Sequence, residues 1–405
     1  MDILLPQQSK ACEHLNKWRV GALFMESGTG KTRVAVELVN RAKPDSVLYV
    51  APYRTINTEK GIPTVVSEID KWGGFNAITK YIAIESIQAS DRIYLEILNF
   101  CKNFENLFLI VDESLKIKNS QAKRTKRLLE LGNIAKYKLI LNGTPISKNL
   151  LDLWSQMEFL SPKILNMSFA EFKNTFCEYK KITKRFACKK QYTKEFISGY
   201  ENIDQLYSLI KNYIYECDLS LQVRQSYSNL HYKLCEKTKA EYNKLKTEFL
   251  DKEKLLWKNN NIFFELTQKM QHAYCCTENK FEIVDNLFTK IQQEQTIIYT
   301  KYIKSRNACK ARFPKATVLT YQKEALGLNL QHLNNTVYFD KNWDYALRIQ
   351  SGKRTFRIGQ TRNCRYWDLT GDVGLERMID KNISKKNDMA EYFKGKTIEQ
   401  LKEEL

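Results

Sequence analysis

The stretch Met25-Glu-Ser-Gly-Thr-Gly-Lys-Thr32 constrains this chain more than any other. A short apolar run, Gly21-Ala-Leu-Phe-Met25, leads into it, and Arg33-Val-Ala-Val-Glu-Leu-Val39 leaves it with helical spacing. Strand, glycine turn, helix is the order a phosphate-binding loop requires. Gly28 and Gly30 let the backbone turn tightly and aim its N–H groups inward, where the positive end of the helix also points. Lys31 then reaches β- and γ-phosphates, and the Thr32 hydroxyl ligates Mg²⁺. The strict GxxxxGK[ST] pattern is not met, so a plain glycine turn before a surface helix is the rival reading of the fragment alone.

The other strand-like runs share one habit. Ser46-Val-Leu-Tyr-Val-Ala51, Tyr81-Ile-Ala-Ile84, Asn106-Leu-Phe-Leu-Ile-Val111 and Lys138-Leu-Ile-Leu141 are short and continuously apolar, with helical segments between them. That pattern predicts a parallel sheet covered on both faces, in which ligands sit beyond the carboxyl ends of the strands. The glycine loop, Asp112-Glu113 and Gly143-Thr-Pro145 all fall at such ends. Nucleotide hydrolysis needs one carboxylate to hold Mg²⁺ and another to orient and deprotonate water. Asp112 suits the first role and Glu113 the second, against the rival reading of a helix N-cap.

From about Ser161 to Asn229 helices rich in Phe, Tyr and Lys are expected. A second α/β region follows, with strands at Thr296-Ile-Ile-Tyr299, Ala316-Thr-Val-Leu-Thr320 and Thr336-Val-Tyr-Phe339. The domain reading is thus 1–160, 161–229 and 230–405. Within Gln350-Ser-Gly-Lys-Arg-Thr-Phe-Arg-Ile-Gly-Gln360, Arg354 and Arg357 would share one face of a helix. Two guanidiniums so placed suit a γ-phosphate as its charge develops; a basic helix on solvent or nucleic acid is the alternative.

Charge points to a polyanion. The chain carries a formal +19 over 405 residues, concentrated in Lys116 to Arg127, Glu178 to Lys194 and Lys301 to Lys315. Ten scattered cysteines without a C-x-x-C pair read as free thiols in a reducing compartment, with no zinc site. Neither a secretory signal nor a membrane span is expected, so a cytoplasmic, non-secreted protein is the reading.

With these residues in place, the chain resembles a superfamily-two helicase motor of the Swi/Snf type, in its small viral or phage-like form. Pro6-Gln7-Gln8 resembles the adenine-sensing glutamine motif, Glu26 to Thr32 motif I, and Val50-Ala-Pro-Tyr-Arg54 motif Ia. Val111-Asp-Glu-Ser114 with Lys116-Ile-Lys-Asn119 resembles motif II and its tail. Leu141-Asn-Gly-Thr-Pro145 with Leu151-Asp-Leu-Trp154 resembles motif III, and Ala325-Leu-Gly-Leu-Asn-Leu330 motif V. Asp340-Lys-Asn-Trp343 leading to Gln350, Arg354, Arg357, Gly359 and Gln360 is very similar to the family's most distinctive signature.

The resemblance implies two RecA-like lobes in tandem, joined by a mostly helical, basic and aromatic insert, with ATP and Mg²⁺ in the cleft between lobes. Gln8, Gly28, Thr29, Gly30, Lys31, Thr32 and Gln350 would contact the nucleotide, and Lys31, Glu113, Arg354 and Arg357 would act in hydrolysis. Arg54, Lys118, Asn119, Lys301, Lys304 and Trp343 would meet DNA, gripped through its backbone without regard to sequence. Movement on duplex DNA that remodels branched or forked structures (branch migration) in replication, recombination or repair is the expected work, with a protein partner as one means of targeting. A motor subunit of a restriction or repair assembly, and a nucleotide-gated scaffold with little turnover, are the rival readings. Three departures stand out: Leu115 replaces the family's histidine after Asp-Glu, Lys148 replaces a common asparagine, and the stretch between Tyr299 and Leu319 is compressed. Phe176, Tyr179, Phe186, Tyr192, Phe196 and Tyr200 alternate with basic residues, and read either as the core of a helical insert or as a stacking hairpin.

Overall fold

The computed structural model describes residues 3–57, 64–143, 150–185, 191–250, 260–321 and 330–384. The chain divides into two compact units, Met1–Leu219 and Ser220–Leu405.

In the first unit, β1 (Val20–Met25), β2 (Ser46–Ala51), β3 (Ile78–Ala83), β4 (Leu107–Asp112) and β5 (Tyr137–Asn142) form a parallel sheet. Its order is β3-β2-β4-β5-β1, and a sixth strand, Ile214–Cys217, adds to the free side of β1. The strands are apolar throughout because both faces are covered. Ala22, Phe24, Leu48, Val50, Leu109, Val111 and Ile140 enter one core. Their neighbours Leu23, Met25, Val47, Tyr49, Phe108, Ile110 and Leu139 enter the other, beneath α1 (Pro6–Leu15) and α2 (Lys31–Ala42).

The stretch after Ser161 contains the expected helices, Phe169–Phe176 and Ile203–Ile210 among them, and also strands. Phe172 and Phe176 sit in the core of the first unit. An antiparallel hairpin of β6 (Cys177–Arg185) and β7 (Gln191–Tyr200) follows, and Ile214–Cys217 becomes β8. Of the interleaved aromatics, Phe176 is core and Tyr200 is exposed, while Tyr179 lies under the Lys173 ammonium at 4.4 Å. Phe186 and the side chains of Tyr192 and Phe196 lie outside the described residues.

In the second unit, β9 (Gln225–Tyr232), β10 (Thr296–Thr300), β11 (Thr317–Thr320), β12 (Asn335–Tyr338) and β13 (Cys364–Gly371) form a parallel sheet of order β11-β10-β12-β13-β9. Ile298, Val337 and Leu369 face a core closed by Met270, Phe281, Val284 and Met378. On this sheet five tyrosines make a layer: Tyr227 stacks on Tyr366 at 4.6 Å, and Tyr338, Tyr299 and Tyr321 stack at 5.5–6.2 Å. Among the described residues no helix is long and apolar enough to cross a membrane.

Candidate active site

In the first unit the parallel order brings three strand ends to one edge. β1 runs into Glu26-Ser-Gly-Thr-Gly30, where Gly28 and Gly30 hold φ near 91° and 90°, a region glycine enters without cost. The Thr29 hydroxyl closes the loop by donating to the Glu26 carbonyl at 2.7 Å. Gly30 is also a close approach: a Cβ there would stand 2.2 Å from Gln8 Nε2, which itself donates to the Thr29 carbonyl at 3.2 Å. Gln8 therefore touches the phosphate loop directly. Gly30→Ala is expected to expel the Gln8 amide and add about 1–2 kcal/mol of left-handed strain, read as a lower melting temperature.

Lys31 opens α2, and its ammonium turns back to the Met25 carbonyl at 2.7 Å and the Glu26 carbonyl at 3.4 Å. Thr32 is the next residue, in the first turn of that helix. The β5 end lies against the same loop, since a Cβ on Gly143 would meet Ser27 Oγ at 3.3 Å. Thr144, Pro145 and Lys148 lie outside the described residues.

β4 ends in Asp112, whose carboxylate accepts from the Tyr49 hydroxyl at 3.1 Å and from the Glu113 N–H at 2.9 Å. Glu113 holds φ at 53°, where a non-glycine residue is strained, and such strain gathers at working sites. Burial, then the neighbouring Glu113 charge, pushes the Asp112 carboxyl from 3.8 up to about 6. A carboxylate so disfavoured gains when a cation arrives. Mg²⁺ takes few protein ligands, one or two carboxylates beside substrate oxygens, so Thr32 and Asp112 fit its needs. No cluster of three or more His, Cys, Asp or Glu residues among the described residues offers a fuller metal cage.

The sign of the Asp112 shift sets a prediction. A raised carboxyl contributes stability below pH 3.8, and that stability is lost as pH rises through about 6. At neutral pH the ionised acid therefore costs the fold on the order of 1–3 kcal/mol. Asp112→Asn removes the charge, and Tyr49 can accept from the new amide. The variant is expected to melt higher than the parent at neutral pH, with the gap closing near pH 4.

Next to Leu115, Ser114 ties the Asp-Glu turn to its surroundings. This buried hydroxyl donates to Gln156 Oε1 at 2.6 Å and receives the Asn142 amide at 3.4 Å, joining the Asp-Glu turn to the end of β5. Tyr49 and Gln156 escaped the sequence reading, and Ser114 entered it only as the last residue of the motif II resemblance. Tyr49 looks like one more apolar strand residue, and only its 3.1 Å bond to Asp112 marks it.

In the second unit the helix expected to carry both arginines ends early. It spans Tyr345–Gly352, so Arg354 and Arg357 lie in the turns beyond it. The tyrosine layer explains the ending. Tyr299 donates to the Ser351 carbonyl at 3.2 Å and Tyr366 to the Gly352 carbonyl at 3.1 Å, capping the last turn. Arg348 on the same helix stands 3.2 Å above the Tyr338 ring and bonds Asp368 at 2.7 Å. Past the helix, Gln360 fixes the segment by donating to the carbonyls of Leu333 at 2.8 Å and Thr355 at 3.1 Å. Arg354 is buried and Arg357 half-buried; Gln350 is on the helix, half-buried.

The expected DNA contacts divide. Arg54, Asn119 and Lys304 are exposed, and Lys118 is half-buried, 3.8 Å from Asp152. Two of the expected contacts are placed away from open surface. Lys301 turns inward, donating to Gln271 Oε1 at 2.6 Å, and burial draws its ammonium down to about 8. Trp343 belongs to the core of the second unit, 6% exposed. Its ring packs there. Residues 322–329, with most of the expected motif V, lie outside the described residues.

Comparison with known proteins places the SNF2-related domain on residues 76–303, a span that includes Asp112 and Glu113. The chain is 26% identical over 358 residues to the SWI/SNF chromatin-remodeling complex subunit snf22 of Schizosaccharomyces pombe, covering 72% of this chain and 20% of that one. It is 24% identical over 459 residues to a probable ATP-dependent DNA helicase, CHR12, of Arabidopsis thaliana, covering 90% and 39%. An uncharacterized ATP-dependent helicase, MG018, of Mycoplasma genitalium is 26% identical over 342 residues, covering 73% and 32%. The chain spans only 20% to 39% of the length of these relatives. Among solved structures, the Sulfolobus solfataricus SWI2/SNF2 ATPase core in complex with dsDNA aligns with a TM-score of 0.42 at 19% identity, over 100% of this chain and 97% of that one.

Proposed function

The chain belongs to the SNF2-related domain family, and on that premise we propose that it is an ATP-hydrolysing motor that moves on duplex DNA. One observation carries the reading: Gly28, Gly30, Lys31, Asp112 and Glu113 converge at one edge of a single parallel sheet. Lys31, released from the Met25 carbonyl, binds the β- and γ-phosphates of ATP. Thr32 and Asp112 hold Mg²⁺, which supplies charge neutralisation on the phosphate oxygens when bound. Glu113 orients the attacking water and takes its proton at a carboxylate oxygen. Gln8 reads the nucleotide from the Gly30 side of the loop, with Thr29 and Gln350 as further contacts. Arg354 and Arg357 serve as the cations that offset charge developing on the transferred phosphoryl group.

Arg54, Lys118, Asn119 and Lys304 are proposed to hold DNA phosphates, and the +19 charge supports a polyanion partner. Remodelling of branched or forked DNA in replication, recombination or repair is the work we assign, in the reducing cytoplasm, a host's if the chain is viral, with a protein partner for targeting. The test pairs ATP turnover with strand displacement on plain duplex, single strand, fork, four-way junction and RNA. Turnover and branch movement greatest on forks and junctions are expected. Stimulation by RNA above DNA would overturn the assignment, and turnover on duplex with inert branched substrates would favour a motor serving an assembly whose other activities lie on separate chains.

A further inference from the structure

Between the helices Asn260–Ala273 and Glu278–Phe288 the chain makes a tight turn that carries two adjacent cysteines. Cys275 is fully buried and Cys276 half-buried, and their sulfur atoms stand 3.7 Å apart. Ser305 Oγ lies 3.9 Å from Cys276 Sγ. The Cys275 thiol donates to its neighbour, which holds Cys275 protonated and draws Cys276 down to about 7, a thiolate-prone sulfur at neutral pH.

The turn is built rigidly. The Cys275 carbonyl accepts from the Lys280 ammonium at 3.3 Å, and Lys280 pairs with Asp340 at 2.8 Å, both side chains 1% exposed. Asp340 in turn accepts from the Lys301 N–H at 3.0 Å and, through its carbonyl, from the Tyr321 hydroxyl at 2.9 Å. Both sulfurs are thus preset, so little ordering cost falls on binding. Direct closure to a disulfide is disfavoured, because adjacent Cα atoms are about 3.8 Å apart, below the usual disulfide span of about 4.4–6.8 Å. An atom that bridges the two sulfurs needs no such closure.

We propose that Cys275 and Cys276 form a two-sulfur chelating site for soft, thiophilic centres, of which a monosubstituted trivalent arsenical is the simplest. In that reaction two As–S bonds form and the arsenic–oxygen bond breaks. The oxygen leaves as water with both thiol protons, and no oxidation state changes. Soft sulfur donors select such centres over hard cations.

Phenylarsine oxide added to the full reduced chain, in excess glutathione, tests this by intact mass. One adduct per chain is expected, stable to the monothiol and removed by 2,3-dimercaptopropanol. Cys276→Ser and, separately, Cys275→Ala should each weaken retention by about 100-fold or more, the loss of a tethered second ligand. Cys235→Ser, at an exposed thiol, should leave it unchanged. Should the buried Cys275 variant fail to fold, Cys276→Ser decides alone. Removal of the wild-type adduct by glutathione, or its survival in Cys276→Ser, would overturn the proposal.

Discussion

Glu113→Gln is expected to lower ATP turnover by about 10³-fold while leaving nucleotide affinity near that of the parent. The reasoning starts from position. Glu113 follows β4 directly, in a left-handed conformation that a carboxylate residue adopts only under restraint. Its backbone N–H is tied to Asp112 at 2.9 Å, so the turn is held by the group assigned to the metal. Glutamine keeps the shape and the strain and loses only the ability to take a proton. General-base catalysis contributes about 10²–10⁴-fold, which sets the magnitude. Single-turnover hydrolysis beside equilibrium binding of a fluorescent ATP analogue separates the two effects. Equal losses of binding and turnover would make Glu113 a structural residue.

Arg357→Ala is the second large effect, a loss of about 10³-fold or more in kcat, the scale of an arginine finger. Its segment is held by contacts independent of Arg357: Tyr366 on the Gly352 carbonyl and Gln360 on the carbonyls of Leu333 and Thr355. The variant is therefore expected to keep the path of this segment, which its circular dichroism spectrum checks. Arg357→Lys should recover little, because one ammonium cannot reproduce a planar fork of donors. Unchanged turnover in Arg357→Ala would assign the segment to binding nucleic acid or to the fold. A kcat loss with KM unaltered is the expected signature of an interaction made in the transition state alone.

How far such residues were legible depended on what surrounds them. β1, β2, β4 and β5 could be read because both faces are buried, leaving no polar interruption. β9 and β13 could not. Gln225–Tyr232 is an edge strand, largely exposed, and its polar residues give no apolar run. Cys364–Gly371 carries Arg365, which donates to Asn335 Oδ1, and Asp368, which pairs with Arg348, partners 30 and 20 residues away in sequence. The loop glycines and the Asp-Glu pair were legible as local patterns, whereas Tyr49 and Ser114 act through contacts of 63 and 42 residues' separation. The helix through Arg354 and Arg357 was predicted from spacing alone, which is blind to the tyrosine hydroxyls that end it at Gly352. Lys301 was assigned to DNA by the basic run it opens and Trp343 by motif position, and neither signal shows that Lys301 bonds Gln271 or that Trp343 packs in a core.

The most direct test of the motor reading is the steady-state rate of Mg²⁺-dependent ATP hydrolysis by the purified chain, with and without linear duplex DNA. Hydrolysis raised at least about tenfold by duplex, and falling steeply with added salt as phosphate contacts are screened, is the predicted result. Hydrolysis indifferent to DNA, or none at any DNA concentration, would contradict it.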